Sequence, residues 1–150
     1  MTRGQGSTEY LVLLAVALIV ALVVIGLLGW FPGLGGGARE TQSATYWAGA
    51  SPFSITAVKM AGAGASQLTL ANRLADKVTL TDISFSGSSI YTAGATNFTG
   101  GQEKTVSITV TCDVPGESNQ YDNVTFTYNQ GSISGIKQRG DKPLIVKCSA

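Results

Sequence analysis

The chain contains no histidine among its 150 residues. Histidine is the usual general base near neutral pH and the commonest metal ligand, so hydrolytic triads and histidine-ligated metal sites are excluded. The sequence pairs no nucleophile with a base, and no glycine-rich phosphate-binding loop precedes a helix. We therefore expect a protein that is not an enzyme and that holds neither a metal ion nor a cofactor, apart from possible N-linked glycans.

Charged residues are scarce as well, at 13% of the chain. Lys plus Arg is 10 and Asp plus Glu is 9, which gives a net charge of +1 without any run of like charges. A surface that binds a phosphate backbone needs concentrated positive charge. No nucleic-acid partner is therefore expected.

Charge is absent altogether between Glu9 and Arg39, and the stretch from Leu11 to Phe31 is almost entirely Leu, Val, Ile and Ala. About twenty apolar residues suffice for a helix to cross a bilayer, and an ordinary secretory signal has a shorter apolar region. Arg3 favours a cytoplasmic N-terminus with an exported C-terminal part. Taken alone, the apolar run favours a signal anchor that holds a single-pass protein in the membrane.

Glu9 lies directly against this apolar stretch. A carboxylate at such a boundary is costly unless it is solvated, protonated or paired with a cation. If the chain were cut between Gly4 and Gln5, the new α-amino group would be positively charged near neutral pH. The Glu9 carboxylate of a neighbouring copy could then pair with it.

The N-terminal residues resemble the class III signal peptide of archaeal type IV pilin-like proteins. The matching positions are Arg3-Gly4 followed by Gln5-x-Ser7-x-Glu9-x-x-x-Leu13. The resemblance implies that a prepilin-type peptidase cuts between Gly4 and Gln5 and removes residues 1–4 as a leader. It also implies that a helix over residues 5–31 packs in a filament core, with Glu9 and Leu13 as assembly residues, and that a pilus assembly platform acts on the subunit.

Glycines occur near the end of this helix. Gly26 and Gly29 are small enough to let neighbouring helices approach closely. Pro32 and the glycines that follow oppose helical continuation, so residues 32–51 are predicted to form a flexible connector. Residues 52–150 then make up a separate head domain.

The head changes from continuous apolarity to alternation, which predicts short β-strands. The apolar positions slip between Val78 and Phe85, which indicates a β-bulge near Asp82. The predicted strands are 53–60, 67–71, 77–85, 106–112, 124–128, 132–137 and 144–148. The expected fold class is α+β, a long hydrophobic helix followed by an all-β, immunoglobulin-like sandwich. This pattern is also loosely similar to the β-rich heads of archaeal pilins.

The two cysteines, Cys112 and Cys148, each lie on the expected core face of a strand. A disulfide between them is the prediction, with two buried free thiols as the alternative.

Asn97-Phe98-Thr99 and Asn123-Val124-Thr125 are acceptor sequons for N-linked glycans, so Asn97 and Asn123 are candidate glycosylation sites. Chance occurrence in a Thr-rich chain is the alternative. The tripeptide at residues 139–141 is interpreted as a hairpin tip, and the acidic loop of Asp113, Glu117 and Asp122 as a solvated surface.

Together these features predict a structural subunit of a type IV pilus-like filament on the cell surface, whose precursor lies in the cytoplasmic membrane. Its main partner would be further copies of itself. The alternative is a membrane-anchored extracellular binding module that does not polymerise.

Overall fold

A computed structural model of the chain describes residues 5–29 and 32–149, with side chains for residues 6–27 and 36–149. Two compact units make up the structure, one ending at Gly36 and the other being Gly37–Ala150. Helix α1, Gln5–Gly29, lies in the first unit. It is rich in Leu and Val and lacks proline, so its backbone hydrogen bonds are satisfied internally. Gly4, and residues 30 and 31 at the predicted helix end, lie outside the described residues.

The prediction of a flexible connector over residues 32–51 is wrong. A second helix, α2, runs Pro32–Ala48. Pro32 is its first residue, and a proline is tolerated there because the first N–H of a helix has no intrahelical partner. The second compact unit accordingly begins at Gly37, ahead of the predicted boundary at residue 52.

Packing onto the head stabilises the C-terminal half of α2, which follows the glycines of its first turns. Ser43 and Trp47 are four residues apart, so they share one face of the helix, and both are buried. The Ser43 hydroxyl donates to the Pro143 carbonyl at 3.0 Å and accepts from the Ile145 amide at 2.9 Å. The Trp47 indole also donates to Pro143, at 3.4 Å. Tertiary contacts therefore override the weak local propensity.

Ten strands follow α2. They are β1 Phe53–Ala61, β2 Ser66–Asn72, β3 Val78–Phe85, β4 Ser88–Ser89, β5 Thr96–Phe98, β6 Glu103–Ile108, β7 Ser118–Tyr121, β8 Thr125–Gln130, β9 Ile133–Arg139 and β10 Leu144–Ser149. Sheet 1 has the order β6-β2-β1-β10-β7. Sheet 2 has the order β4-β3-β8-β9, and β5 also pairs with β3. The predicted α+β class, an apolar helix followed by a β-sandwich head, is confirmed.

The first and last strands of the head pair in parallel, but over a short length. β1 and β10 join only at Met60 with Cys148 and Ala61 with Ser149. Beyond these pairs the strands separate, and Ser43 of α2 satisfies the Ile145 amide that the ladder leaves free. The helix therefore completes the sheet where the two strands diverge.

An aromatic cluster fills the space between the sheets. The Phe53 ring has its centroid 5.3 Å from Phe98, 5.6 Å from Tyr128 and 5.9 Å from Phe126. Trp47 of α2 joins the cluster with its ring 6.0 Å from Phe126. Phe53, Phe98 and Phe126 are fully buried. These contacts tie α2 and both sheets into one core.

Cys112 and Cys148 form the predicted disulfide, with Cα atoms 5.8 Å apart and a separation of 36 positions in sequence. Both side chains are buried. Cys148 lies in β10, whereas Cys112 lies beyond the end of β6, where Thr111 bridges Ala61 of β1. The bond therefore fixes an irregular segment to the central strands.

We expect replacement of both cysteines by alanine to lower the free energy of unfolding of the head by about 3 to 4 kcal/mol, because a closed loop of this length restricts the unfolded chain. Urea unfolding of the full chain in mild detergent, followed by near-UV circular dichroism, measures the change. A reducing agent should destabilise the wild type by a similar amount and leave the double variant unaffected. A loss below about 1 kcal/mol would contradict the stabilising role.

Gly140, in the turn between β9 and β10, is predicted to tolerate no side chain. A Cβ atom there would collide with the buried indole of Trp47. Gly140→Ala should therefore cost about 1 to 3 kcal/mol, as overpacked cores do. Gly37→Ala is the matched control, since open space surrounds that position and alanine favours helix. Equal midpoints for the two variants in the same urea experiment would refute this packing argument.

Candidate assembly helix and sequon-bearing face

The exposed surface of α1 is the most unusual feature of the described residues. Its segment Gly6–Leu27, 22 residues long, is apolar enough to cross a membrane, although a signal sequence passes the same test. Every side chain in this segment is exposed. At a rise of 1.5 Å per residue the segment is about 33 Å long, similar to the hydrocarbon thickness of a bilayer. The helix therefore requires an apolar environment on all sides.

The predicted assembly residues all fall on α1. Glu9 is the fifth residue of the helix, and Leu13 follows one turn later on the same face, with both side chains exposed. No described side chain forms an ion pair or hydrogen bond with the Glu9 carboxylate. A Cβ atom at Gly26 would meet nothing within 4 Å, and Gly29 is the last residue of the helix. Of the two residues at the predicted processing site, Gln5 begins α1 and Gly4 is not described.

Asn97 lies in β5, at the edge of sheet 2, with its side chain exposed. Its carbonyl oxygen Oδ1 accepts a hydrogen bond from the Thr79 hydroxyl at 2.7 Å. The backbone oxygen of Asn97 accepts from the Lys104 ammonium group at 2.7 Å. That ammonium group also lies 5.7 Å from the centroid of the Phe98 ring. The Thr79 hydrogen bond orients the side-chain amide of Asn97, and no described residue binds the amide nitrogen, the atom to which an N-linked glycan attaches.

Asn123, the second sequon asparagine, precedes β8 and is exposed. Its backbone has φ of 49°, a left-handed conformation that asparagine tolerates better than most residues. The Thr125 hydroxyl donates to the Asn123 carbonyl at 3.3 Å. Val124, between them, is fully buried. The strand start therefore anchors the sequon while Asn123 itself points away from the core.

Strand registers place both asparagines on one surface. Asn97 pairs with Thr79 near the start of β3, whereas Ser84 near its end pairs with Thr125, two residues after Asn123. The five residue-to-residue steps from Thr79 to Ser84 span about 17 Å. The two sequons therefore lie at opposite ends of the solvent-facing side of sheet 2, which we call the outer face.

Between the sequons the outer face is polar and concave. It forms a cleft of about 530 Å³. Registers across β3, β8 and β9 give two rows, in which Asp82 faces Thr127 and Lys137, and Ser84 faces Thr125 and Arg139. The intervening residues Ile83 and Phe126 point inward and are fully buried. The strict alternation of β8 thus places Thr125 and Thr127 on the outer face and Phe126 in the core.

The sequence analysis missed this cleft. The spacing of Lys137 and Arg139, two residues apart in one strand, puts both cations on one face, and Thr125 and Thr127 alternate with apolar residues in the same way. These signals could have identified the cation pair of β9 and the hydroxyl pair of β8 separately. Only the register between the strands shows that the two pairs are adjacent.

The other surface motifs have structural explanations. Arg139 ends β9, and the Gly140 amide donates to the Val124 carbonyl, just before β8, at 2.9 Å. The prediction of a hairpin tip at residues 139–141 is wrong, because β9 and β10 belong to different sheets and the segment connects the two sheets. In the acidic loop, the Asp122 carboxylate accepts from the Gln120 amide at 2.8 Å. Among the described residues, no group of three His, Cys, Asp or Glu side chains is arranged to hold a metal ion.

Tyr121 lies beside that acidic loop and packs against Phe85, with ring centroids 5.1 Å apart. Its hydroxyl is buried without a hydrogen-bond partner among the described residues. Burial raises the pKa of the Tyr121 phenol, and the Asp113 carboxylate raises it further. The phenol therefore remains neutral at physiological pH and acts as a packing group.

No protein-family model and no curated protein matches this chain.

Proposed function

We propose that this chain is a pilin-like structural subunit that polymerises through α1 into an extracellular filament, with the β-sandwich head on the outside. The observation that carries the proposal is the exposed apolar surface of α1, which covers every side of the helix. Lipid can cover such a surface in a precursor. Helices of neighbouring copies can cover it in a polymer, where tight packing replaces contacts with lipid.

Glu9 supports polymerisation over simple anchoring. A single carboxylate on an otherwise uncharged helix has no partner within the described part of the chain. In the polymer, the Glu9 of one copy would pair with the α-amino group of Gln5 in the next, after cleavage of the bond that follows Gly4. Such a pair would set the axial register of the helices, because only one offset leaves no buried charge unpaired. The resemblance of the N-terminal residues to class III signal peptides supports the same cleavage.

The head supports the proposal in a different way. Residues 37–150 contain their own aromatic core and a disulfide, so the head does not need α1 to bury its apolar surface. The helix is therefore available for contacts with other copies. A membrane-anchored binding module would also have these two parts, and remains the second candidate because lipid can cover α1 equally well.

Replacement of Glu9 separates the two candidates. Glu9→Gln should reduce filaments sheared from the native host by at least about tenfold, because an α-amino group left unpaired in a helix core costs about 3 to 5 kcal/mol. Glu117→Gln, which removes the same charge from an exposed loop of the head, is the matched control and should assemble normally. Electron microscopy of the sheared fraction, with immunoblots of the membrane fraction, gives the measurement. Unchanged filament yield for Glu9→Gln would contradict the proposed register.

Processing gives an independent prediction. Mass spectrometry of the native protein should find Gln5 as the first residue, since the proposed ion pair needs a free α-amino group at that position. Gly4→Leu, which places a bulky side chain next to the cleaved bond, should retain residues 1–4 and stay in the membrane. A filament built of subunits that keep Met1 would refute the role of the new N-terminus.

A further inference from the structure

We propose that the cleft on the outer face of sheet 2 binds an acidic saccharide, one that carries a carboxylate or sulfate group. This binding site is separate from the assembly helix, and the proposal does not depend on polymerisation. It rests on three features of the described residues: two cations without partners, three hydroxyl groups in the two rows, and a sequon asparagine at the rim.

The cations are Lys137 and Arg139, on the same face of β9. Neither side chain forms an ion pair or hydrogen bond with another described residue, although the cleft contains the Asp82 carboxylate. Asp82 and Lys137 are separated by β8, which keeps them two strand spacings, or about 10 Å, apart. Asp82 instead accepts a hydrogen bond from Ser89. The two cations are therefore free to bind an anionic group of a ligand.

The hydroxyl groups between the charges point to a saccharide. Thr125 and Thr127 lie in the middle of the two rows, and Ser84 and Asp82 lie beyond them. Hydroxyl side chains both donate and accept hydrogen bonds, as sugar hydroxyls do, and the Asp82 carboxylate adds an acceptor. The lining is predominantly polar, so an apolar peptide side chain would gain little by entering. A short saccharide would extend from Asp82 on one side of the cleft to Lys137 and Arg139 on the other.

The position of Asn123 supplies the independent link to carbohydrate. Asn123 itself lines the cleft, beside Ser84, Thr125 and Arg139. A glycan attached to its amide nitrogen would begin at the rim, within reach of both cations. An acidic saccharide in the cleft could be the glycan on Asn123 or part of a free polysaccharide. These two sources predict different binding by the glycosylated protein.

The first experiment uses the full chain, made in a host without N-glycosylation and held in detergent micelles. Isothermal titration calorimetry with a hyaluronan octasaccharide, an acidic uronate-containing probe, should show binding, whereas neutral maltooctaose should bind at least about tenfold more weakly. Failure of the acidic probe to bind, or equal binding of both probes, would overturn the proposal.

Two variants locate the binding. Replacing Lys137 and Arg139 with alanine should weaken hyaluronan binding by about tenfold or more, since each cation makes charge-assisted hydrogen bonds. The matched control replaces Lys59 and Lys147, two exposed cations of sheet 1, and should bind as the wild type does. Equal weakening in both double variants would mean unspecific attraction of a polyanion and would refute the cleft.

Thr127→Val tests the hydroxyl contacts without a change in charge. It should weaken binding by about threefold, because one neutral hydrogen bond is lost at nearly constant shape. Unchanged near-UV circular dichroism would show that the head keeps its fold. An unchanged affinity for the folded Thr127→Val protein would contradict the assignment of this row.

A second experiment distinguishes the two sources, using protein glycosylated in its native host. If the glycan on Asn123 occupies the cleft, Asn123→Gln should bind the hyaluronan octasaccharide, whereas the wild type and the control Asn97→Gln should not. If the ligand is a free polysaccharide, all three should bind. Absence of binding in all three would overturn the proposal.

Discussion

The structure depends on the need to cover the apolar surface of α1. The segment Gly6–Leu27 exposes bulky aliphatic side chains around its whole circumference, and water is a poor solvent for each of them. In ordinary proteins such a helix is buried in the core or lies in a membrane. The head has a core of its own, built from Trp47 and the aromatic rings of the sandwich. In our proposal, lipid or the helices of further copies cover α1.

The head solves the opposite problem, which is to be stable in water without help. Its aromatic cluster joins the two sheets, the disulfide fixes the segment after β6, and α2 closes the gap where β1 and β10 diverge. Each of these devices holds a part of the sandwich that a regular β ladder does not reach. The consequence is a self-contained domain with a polar outer face.

Local sequence patterns were sufficient to predict helix α1, the bulge in β3 and the core-facing positions of β8 and β10. The apolar run fixes α1, and the slip in apolar positions between Val78 and Phe85 correctly predicted the bulge, seen as a register shift between Leu80 and Asp82. The alternation in β8 and β10 likewise indicated which side chains face the core. The disulfide followed, because Cys112 and Cys148 both lie on core-facing positions.

Features that depend on distant partners were not predictable in the same way. The C-terminal half of α2 is held by Ser43 and Trp47, which reach Pro143 and Ile145 about a hundred residues away. The predicted strand 106–112 stops at Ile108, since its partner β2 begins at the paired residue Ser66. The short strands β5 and β7 lack a hydrophobic signal.

The candidate sites also differ in whether a local motif reveals them. Glu9 and the sequons can be recognised as motifs in the sequence. The cleft between the sequons, in contrast, is formed only by the register of β3, β8 and β9. Lys137 and Asp82 are 55 positions apart in number yet belong to one row of that face. A pattern within one strand cannot reveal such a neighbour, because adjacency in a sheet is set by turns and pairing.

Electron cryo-microscopy of the material shed by cells that produce this chain tests the central claim most directly. The account predicts a helical polymer whose centre consists of packed α1 helices from many copies, with the heads outside and each Glu9 carboxylate within hydrogen-bonding distance of the α-amino group of a neighbouring Gln5. A polymer with α1 absent from its centre, or a chain found only as single copies in the membrane, would contradict it.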